Sequence, residues 1–102
     1  MNELTELTEL IIDFRDERDW KQFHTPKNLA TSISIESAEL LELFQWGEEI
    51  EDRNELEEEM ADILIYLLLL ADSTDIDLYK SVKEKIKKNE KKYPSEEYKG
   101  KY

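Results

Sequence analysis

Apolar residues recur at helical spacing through most of the chain. Between residues 3 and 19, Leu4, Leu7, Ile11 and Phe14 lie three or four apart, which places them on one face of a first helix. The repeated Thr-Glu-Leu there follows from that amphipathic period, since a few residues cannot form a structural repeat unit. A polar break from Gln22 to Asn28 contains Pro26. The spacing then predicts a second helix from about Leu29 to Trp46, with Gly47 as its stop. A third helix begins near Arg53, includes Leu56 and Met60, and continues through the apolar run Ile63 to Ala71. Asp72-Ser73-Thr74-Asp75 is rich in capping residues and introduces a fourth helix, with Ile76, Val82 and Ile86 as apolar positions and Pro94 as its boundary. With two glycines, two prolines and no linker-like segment in 102 residues, the chain reads as one all-α domain over residues 1–94 with a polar tail at 95–102.

The run from Ile63 to Ala71 is apolar on every side of its helix and must be buried all round. A chain of this length has little mass to wrap it, which predicts an antiparallel helical bundle whose core is completed by homo-oligomerisation. The run is under half of the roughly 20 residues that span a bilayer, so no membrane partner is expected.

Composition narrows the chemistry. No cysteine is present, which excludes disulfides and thiolate zinc sites, and the single His24 excludes any site needing two imidazoles. The only glycines are Gly47 and Gly100, so neither a phosphate-binding glycine loop nor a Gly-x-Ser-x-Gly elbow exists. The acidic start MNELTELTEL is unlike a secretory leader, and a cytoplasmic protein is expected. Net charge is −12, which disfavours nucleic-acid duplexes. That charge is uneven. Residues 80–102 hold nine lysines against four glutamates, a net of +5, leaving −17 on the first 79 residues.

Between Glu36 and Asp62 lie 12 carboxylates and one cation, Arg53. Such a run is ordinarily a solvated helix face, but four of its members are placed otherwise. On the second helix Glu36 falls near the middle of the stripe formed by Leu29, Leu40 and Leu43, and Glu39 lies at its edge. On the third, Glu59 aligns with Ile63, Tyr66 and Leu70, and Asp62 sits one turn on. Glu42, Glu48, Glu49, Glu51, Asp52, Glu57 and Glu58 lack this placement and read as solvated surface. Four inward carboxylates need compensation that Arg53 alone cannot supply, and a hard divalent cation with oxygen ligands, Mg²⁺ first, supplies it. A ferritin-like di-iron site is excluded, because it uses a Glu-x-x-His motif on each of two helices. Mg²⁺ sites usually recruit substrate phosphates, which points to a polyphosphate substrate.

Trp20, His24, Trp46 and Tyr66 lie in the polar break or near the acid pairs. Trp46 and Tyr66 are either core aromatics or walls of a nucleobase-stacking box, and a lone His such as His24 is more often a hydrogen-bonding residue than a catalyst. Lys85, Lys88 and Lys92 recur on the fourth helix within reach of phosphate oxygens.

These residues carry a resemblance. The stretches Glu17-Arg18-Asp19-Trp20, Phe23-His24, Pro26-Lys27-Asn28-Leu29, Glu36-Ser37-Ala38-Glu39, Glu42-Leu43-Phe44-Gln45-Trp46, Glu58-Glu59-Met60-Ala61-Asp62-Ile63-Leu64-Ile65-Tyr66, and Lys85 with Asn89, Lys92, Tyr93 and Pro94 cover most of residues 14–94. They resemble the all-α nucleoside triphosphate pyrophosphohydrolases of the MazG-like superfamily, most of all the dCTP pyrophosphatase branch. The resemblance implies hydrolysis of a nucleoside triphosphate between its α and β phosphates. It implies Glu36, Glu39, Glu59 and Asp62 as Mg²⁺ ligands and catalytic groups, and Trp20, His24, Trp46 and Tyr66 around base and sugar with Asn28 nearby. Lys85, Asn89, Lys92 and Tyr93 would serve the triphosphate, some from a neighbouring subunit of a dimer or tetramer. The substrate expected is dCTP or a modified dCTP. Two alternatives stand beside it: the same chemistry on dUTP or another non-canonical nucleotide, and a non-catalytic acidic oligomerisation module.

Overall fold

The structure, a computed structural model, describes residues 2–101; Met1 and Tyr102, the outer ends of the expected domain and tail, lie outside the described residues. Helix α1 (Glu3–Glu17) starts where the Asn2 side chain accepts from the Thr5 N–H at 2.9 Å. A 3-10 turn at Lys21–Phe23 follows. Helix α2 (Pro26–Glu42) is capped by Thr25 and carries Pro26 in its first turn, where a missing N–H costs nothing. Helix α3 (Arg53–Ser73) is capped by Asp52, and α4 (Leu78–Lys92) by Asp77. A short α5 (Ser95–Tyr98) lies in the segment expected as polar tail, with Tyr98 edge-on to Tyr93 at 5.2 Å. All these elements are helical, as the periodicity predicts.

Several boundaries differ from that prediction. α2 stops at Glu42 rather than Trp46, because Leu43, Phe44 and Gln45 donate to Leu40, Leu41 and Glu42 three residues back and wind the chain into tight turns. Ile76 precedes α4 instead of belonging to it. α1 and α3 both end in a Schellman arrangement with aspartate in the left-handed position, Asp19 at φ 54° and Asp75 at φ 56°. Asp75 and Ile76 donate to Asp72 and Ala71; Asp19 and Trp20 donate to Asp16 and Arg15.

Helix α3 packs against α2 and, less extensively, against α1. Leu29, Leu68, Leu69 and Ala71 are buried where they meet. Arg15 is buried beside them and joins the ends of α1 and α3, with Nε donating to Asp16 at 2.9 Å and Nη1 to Asp72 at 3.4 Å. α4 stands outside these interfaces, and its apolar Tyr79, Val82 and Ile86 are about half exposed. The chain exposes 8701 Å². A compact monomer of its mass exposes about 6,000 Å². The radius of gyration, 16.7 Å, is likewise larger than the roughly 13 Å of a compact chain of this length. Leu64, Ile65 and Leu67, expected to be enclosed, are each more than a third exposed. No helix among the described residues is long and apolar enough to cross a membrane.

Candidate metal centre and adjoining cleft

The α2–α3 packing brings Glu36 together with Glu59 and Asp62. One carboxylate oxygen from each lies within 4.8 Å of the others, a grouping that could hold a metal ion. All three are partly buried, and Glu39, one turn along α2, is exposed beside them. Oε2 of Glu36 and Oε2 of Glu59 are buried without a hydrogen-bond partner. Buried orphan oxygens are costly and call for a proton or a cation. Without metal the answer at Glu36 is a proton: burial first, then the closeness of the Glu59 and Glu39 carboxyls, push its carboxyl up to about 7. Arg53 does not neutralise the cluster; its Nε lies 3.6 Å from Glu57 on the exposed side of α3.

A cleft of about 610 Å³ adjoins these acids, with Glu39, Glu59 and Trp46 in its lining. Trp46, at 93% exposure, stands on the tight turns after α2 and lines the cleft beside Leu43 and Gln45. Glu42, Glu49, Glu51, Asp52 and Glu58, read from sequence as solvated surface, also line it, as does Glu55. The signal that could have found them is the density of acids flanking a short connection between two packed helices. Among the described residues, no Lys or Arg lines this cleft.

The other predicted residues are not in its lining. Tyr66 is partly buried on α3, one turn beyond Asp62. Trp20 packs edge-on to Phe14 at the end of α1. His24 has a buried Nδ1 with no partner, and burial together with the nearby Arg15 charge lowers its pKa. The Asn28 side chain donates to the Phe23 carbonyl at 3.0 Å, tying the 3-10 turn to α2. Lys85, Asn89, Lys92 and Tyr93 are exposed on or just after α4. One chain therefore assembles the acids and Trp46, and holds the basic residues elsewhere.

The MazG-like family pattern matches residues 31–101. This chain belongs to the MazG-like family. It is 40% identical to dCTP pyrophosphatase 1 from Rattus norvegicus over 89% of its length and to the Homo sapiens protein of the same name over 90%. It spans 59% of the length of these curated relatives. A pyrophosphatase from Archaeoglobus fulgidus has the same fold, with 49% identity, a TM-score of 0.85, and coverage of 92% of this chain and 94% of its own. The all-α fold expected from the periodicity, and its MazG-like type expected from the resemblance, are thus the fold found.

Proposed function

We propose that this MazG-like chain hydrolyses a nucleoside triphosphate, dCTP or a modified dCTP, to the monophosphate and pyrophosphate in a Mg²⁺-dependent reaction. The observation that carries the reading is the meeting of Glu36, Glu59 and Asp62, with two orphan buried oxygens, beside a cleft whose lining includes an exposed tryptophan. The likeness to proteins named dCTP pyrophosphatase 1 supports the choice of base. The donor set suits a hard cation, since it is all carboxylate oxygen, and Glu36, Glu39, Glu59 and Asp62 would hold it. When bound, Mg²⁺ supplies positive charge for phosphate oxygens and acidifies water.

The chain's own groups do the rest. Trp46 offers an open ring face on which a base stacks. A carboxylate oxygen of the acid cluster that is free of metal accepts the proton of the attacking water. The water oxygen bonds to the α phosphorus, the bond to the bridging oxygen breaks, and pyrophosphate leaves with that electron pair. The leaving group needs cations, and the cleft of a single chain has none. Lys85 and Lys92 meet that need, with Asn89 and Tyr93 as hydrogen-bond donors beside them, some of these residues coming from a second copy whose association covers the apolar face of α4. The exposed area exceeds that of a compact monomer by about 2,600 Å² per chain, or about 5,200 Å² for a pair, at the upper end of obligate homodimer interfaces. Trp20, His24 and Tyr66 complete the base and sugar surroundings in this reading, with Asn28 holding the turn between them. Residues 1–94 form the functional domain and 95–102 its tail.

The deciding experiment incubates the protein with normal and modified triphosphates, with Mg²⁺ or with EDTA, and scores pyrophosphate against phosphate. Pyrophosphate release from a cytosine nucleotide that stops in EDTA is expected. Phosphate without pyrophosphate refutes cleavage between the α and β phosphates.

A further inference from the structure

Trp20 lies three residues beyond α1, and both its backbone and its ring are held by contacts with the α1 terminus. The α1 terminus places Asp19 at φ 54°, a left-handed conformation unfavourable for most residues but tolerated by aspartate. The Gln22 amide closes the turn, donating to the Asp19 carbonyl at 3.0 Å and to its carboxylate at 3.1 Å, while the Trp20 N–H donates to the Arg15 carbonyl at 3.1 Å. These bonds set where the indole starts.

Phe14 and Arg18 set where it points. The Phe14 and Trp20 rings meet edge-to-face, with centroids 5.8 Å apart at 74°. The Arg18 guanidinium lies 3.7 Å above the Phe14 ring and 6.0 Å from the Trp20 ring. It is held there by Nη1 donating to the Phe14 carbonyl at 2.9 Å and by the Glu17 carboxylate at 3.6 Å. Phe14 is 51% and Trp20 43% exposed, so the group is not a piece of core. An indole on so short a turn would otherwise lose rotamer freedom on binding a base, and holding it in advance lowers that cost.

We infer that Arg18, braced on Phe14, is a positioning residue that holds the Trp20 ring ready for a nucleobase. The inference rests on the reading of Trp20 as a base-stacking residue. Arg18 touches no substrate in this scheme; its effect passes through Trp20. Lysine is a poor substitute, because the flat guanidinium stacks on Phe14 while donating to its carbonyl, and an ammonium cannot do both equally well.

The test measures dCTP turnover and Trp20 fluorescence in Arg18→Met, Arg18→Lys, Phe14→Leu and Trp20→Ala, the fluorescence in a Trp46→Phe background so that Trp20 is the sole emitter. Arg18→Met and Phe14→Leu are expected to raise KM about three- to tenfold with kcat held within about twofold, and to lower the steady-state anisotropy of Trp20. Arg18→Lys should fall between Arg18→Met and wild type. If Trp20→Ala raises KM but Arg18→Met leaves KM and anisotropy unchanged, the positioning role is wrong and the base-stacking reading stands. If Trp20→Ala leaves KM unchanged, both fall. A drop in kcat with constant KM in Arg18→Met would mark a general structural effect and overturn the inference.

Discussion

The α2–α3 pair and α4 are built on opposite plans. In the pair, each helix gives its apolar face to the other, and the acids Glu36, Glu59 and Asp62 are carried into partial burial by the same packing. α4 has an apolar face of comparable quality in Tyr79, Val82 and Ile86 and a row of lysines, yet packs extensively on nothing in its own chain. The difference teaches where each half of a site can come from. Concentrated negative charge is tolerated where a metal can sit, whereas the positive charge stands on a helix that its own chain leaves largely exposed.

The largest effect is expected at the acid cluster. Glu36→Gln or Asp62→Asn should lower Mg²⁺-dependent turnover at least about a hundredfold with little change in the thermal midpoint, because removing one charge from a crowded carboxylate group does not undo the helix packing. Pyrophosphate release and circular dichroism on the same samples check both halves. Normal turnover in either variant removes these residues from the site.

Next comes the face of α4. If a second copy covers α4 as proposed, Val82→Asp or Ile86→Asp should shift the protein to monomer, read by analytical ultracentrifugation, and reduce turnover about tenfold or more. Metal binding at the acids of the same variant should survive, since no part of that cluster lies on α4. Unchanged mass in these variants would mean that α4 is covered some other way.

Trp46→Ala is expected to raise KM about tenfold and spare kcat, because base stacking on an aromatic ring contributes about 1–3 kcal/mol. An unchanged KM would take Trp46 out of the binding surface.

The smallest effect is the most diagnostic of electrostatics. The Glu36 carboxyl is raised from 4.5 to about 7 in the metal-free fold, so between those values the folded chain holds a proton that the unfolded chain has lost. Metal-free stability should therefore fall as pH rises from about 4.5 to 7 and then level off. Bound metal should offset that loss at and above neutrality, and should bind more weakly as pH drops below about 7, where it competes with the proton. Thermal melts in EDTA and in Mg²⁺ across this range show whether the slope has that sign.

Much of this was readable in the chain because helical period is a strong signal where apolar residues are regular. Glu36 and Glu59 stood out as charges within apolar stripes, and the structure brings them together with Asp62. What escaped the reading depended on local bonding or on surroundings. The ends of α1 and α3 use aspartate where glycine is the usual signal, so Asp19 and Asp75 gave no warning. The early end of α2 comes from a switch to tighter hydrogen bonds at Leu43 to Gln45, which periodicity does not register. Glu42, Glu49, Glu51, Asp52 and Glu58 read as surface because they fall off the apolar stripes, and only the approach of α2 to α3 with the short connection between them gathers these residues around one cleft. The separation of Lys85 and Lys92 from that cleft follows from the direction of α4, which no one-dimensional pattern encodes.

The central claim is that Glu36, Glu39, Glu59 and Asp62 hold a divalent cation. Electron paramagnetic resonance of added Mn²⁺, at about pH 8 and with Mg²⁺ as competitor, measures it without reference to turnover. The account predicts that wild-type protein suppresses the free Mn²⁺ signal, that Mg²⁺ restores it, and that Glu59→Gln binds at least tenfold more weakly while Glu57→Gln binds as wild type. Equal binding by both variants would place the metal on the diffuse acidic surface and contradict the account.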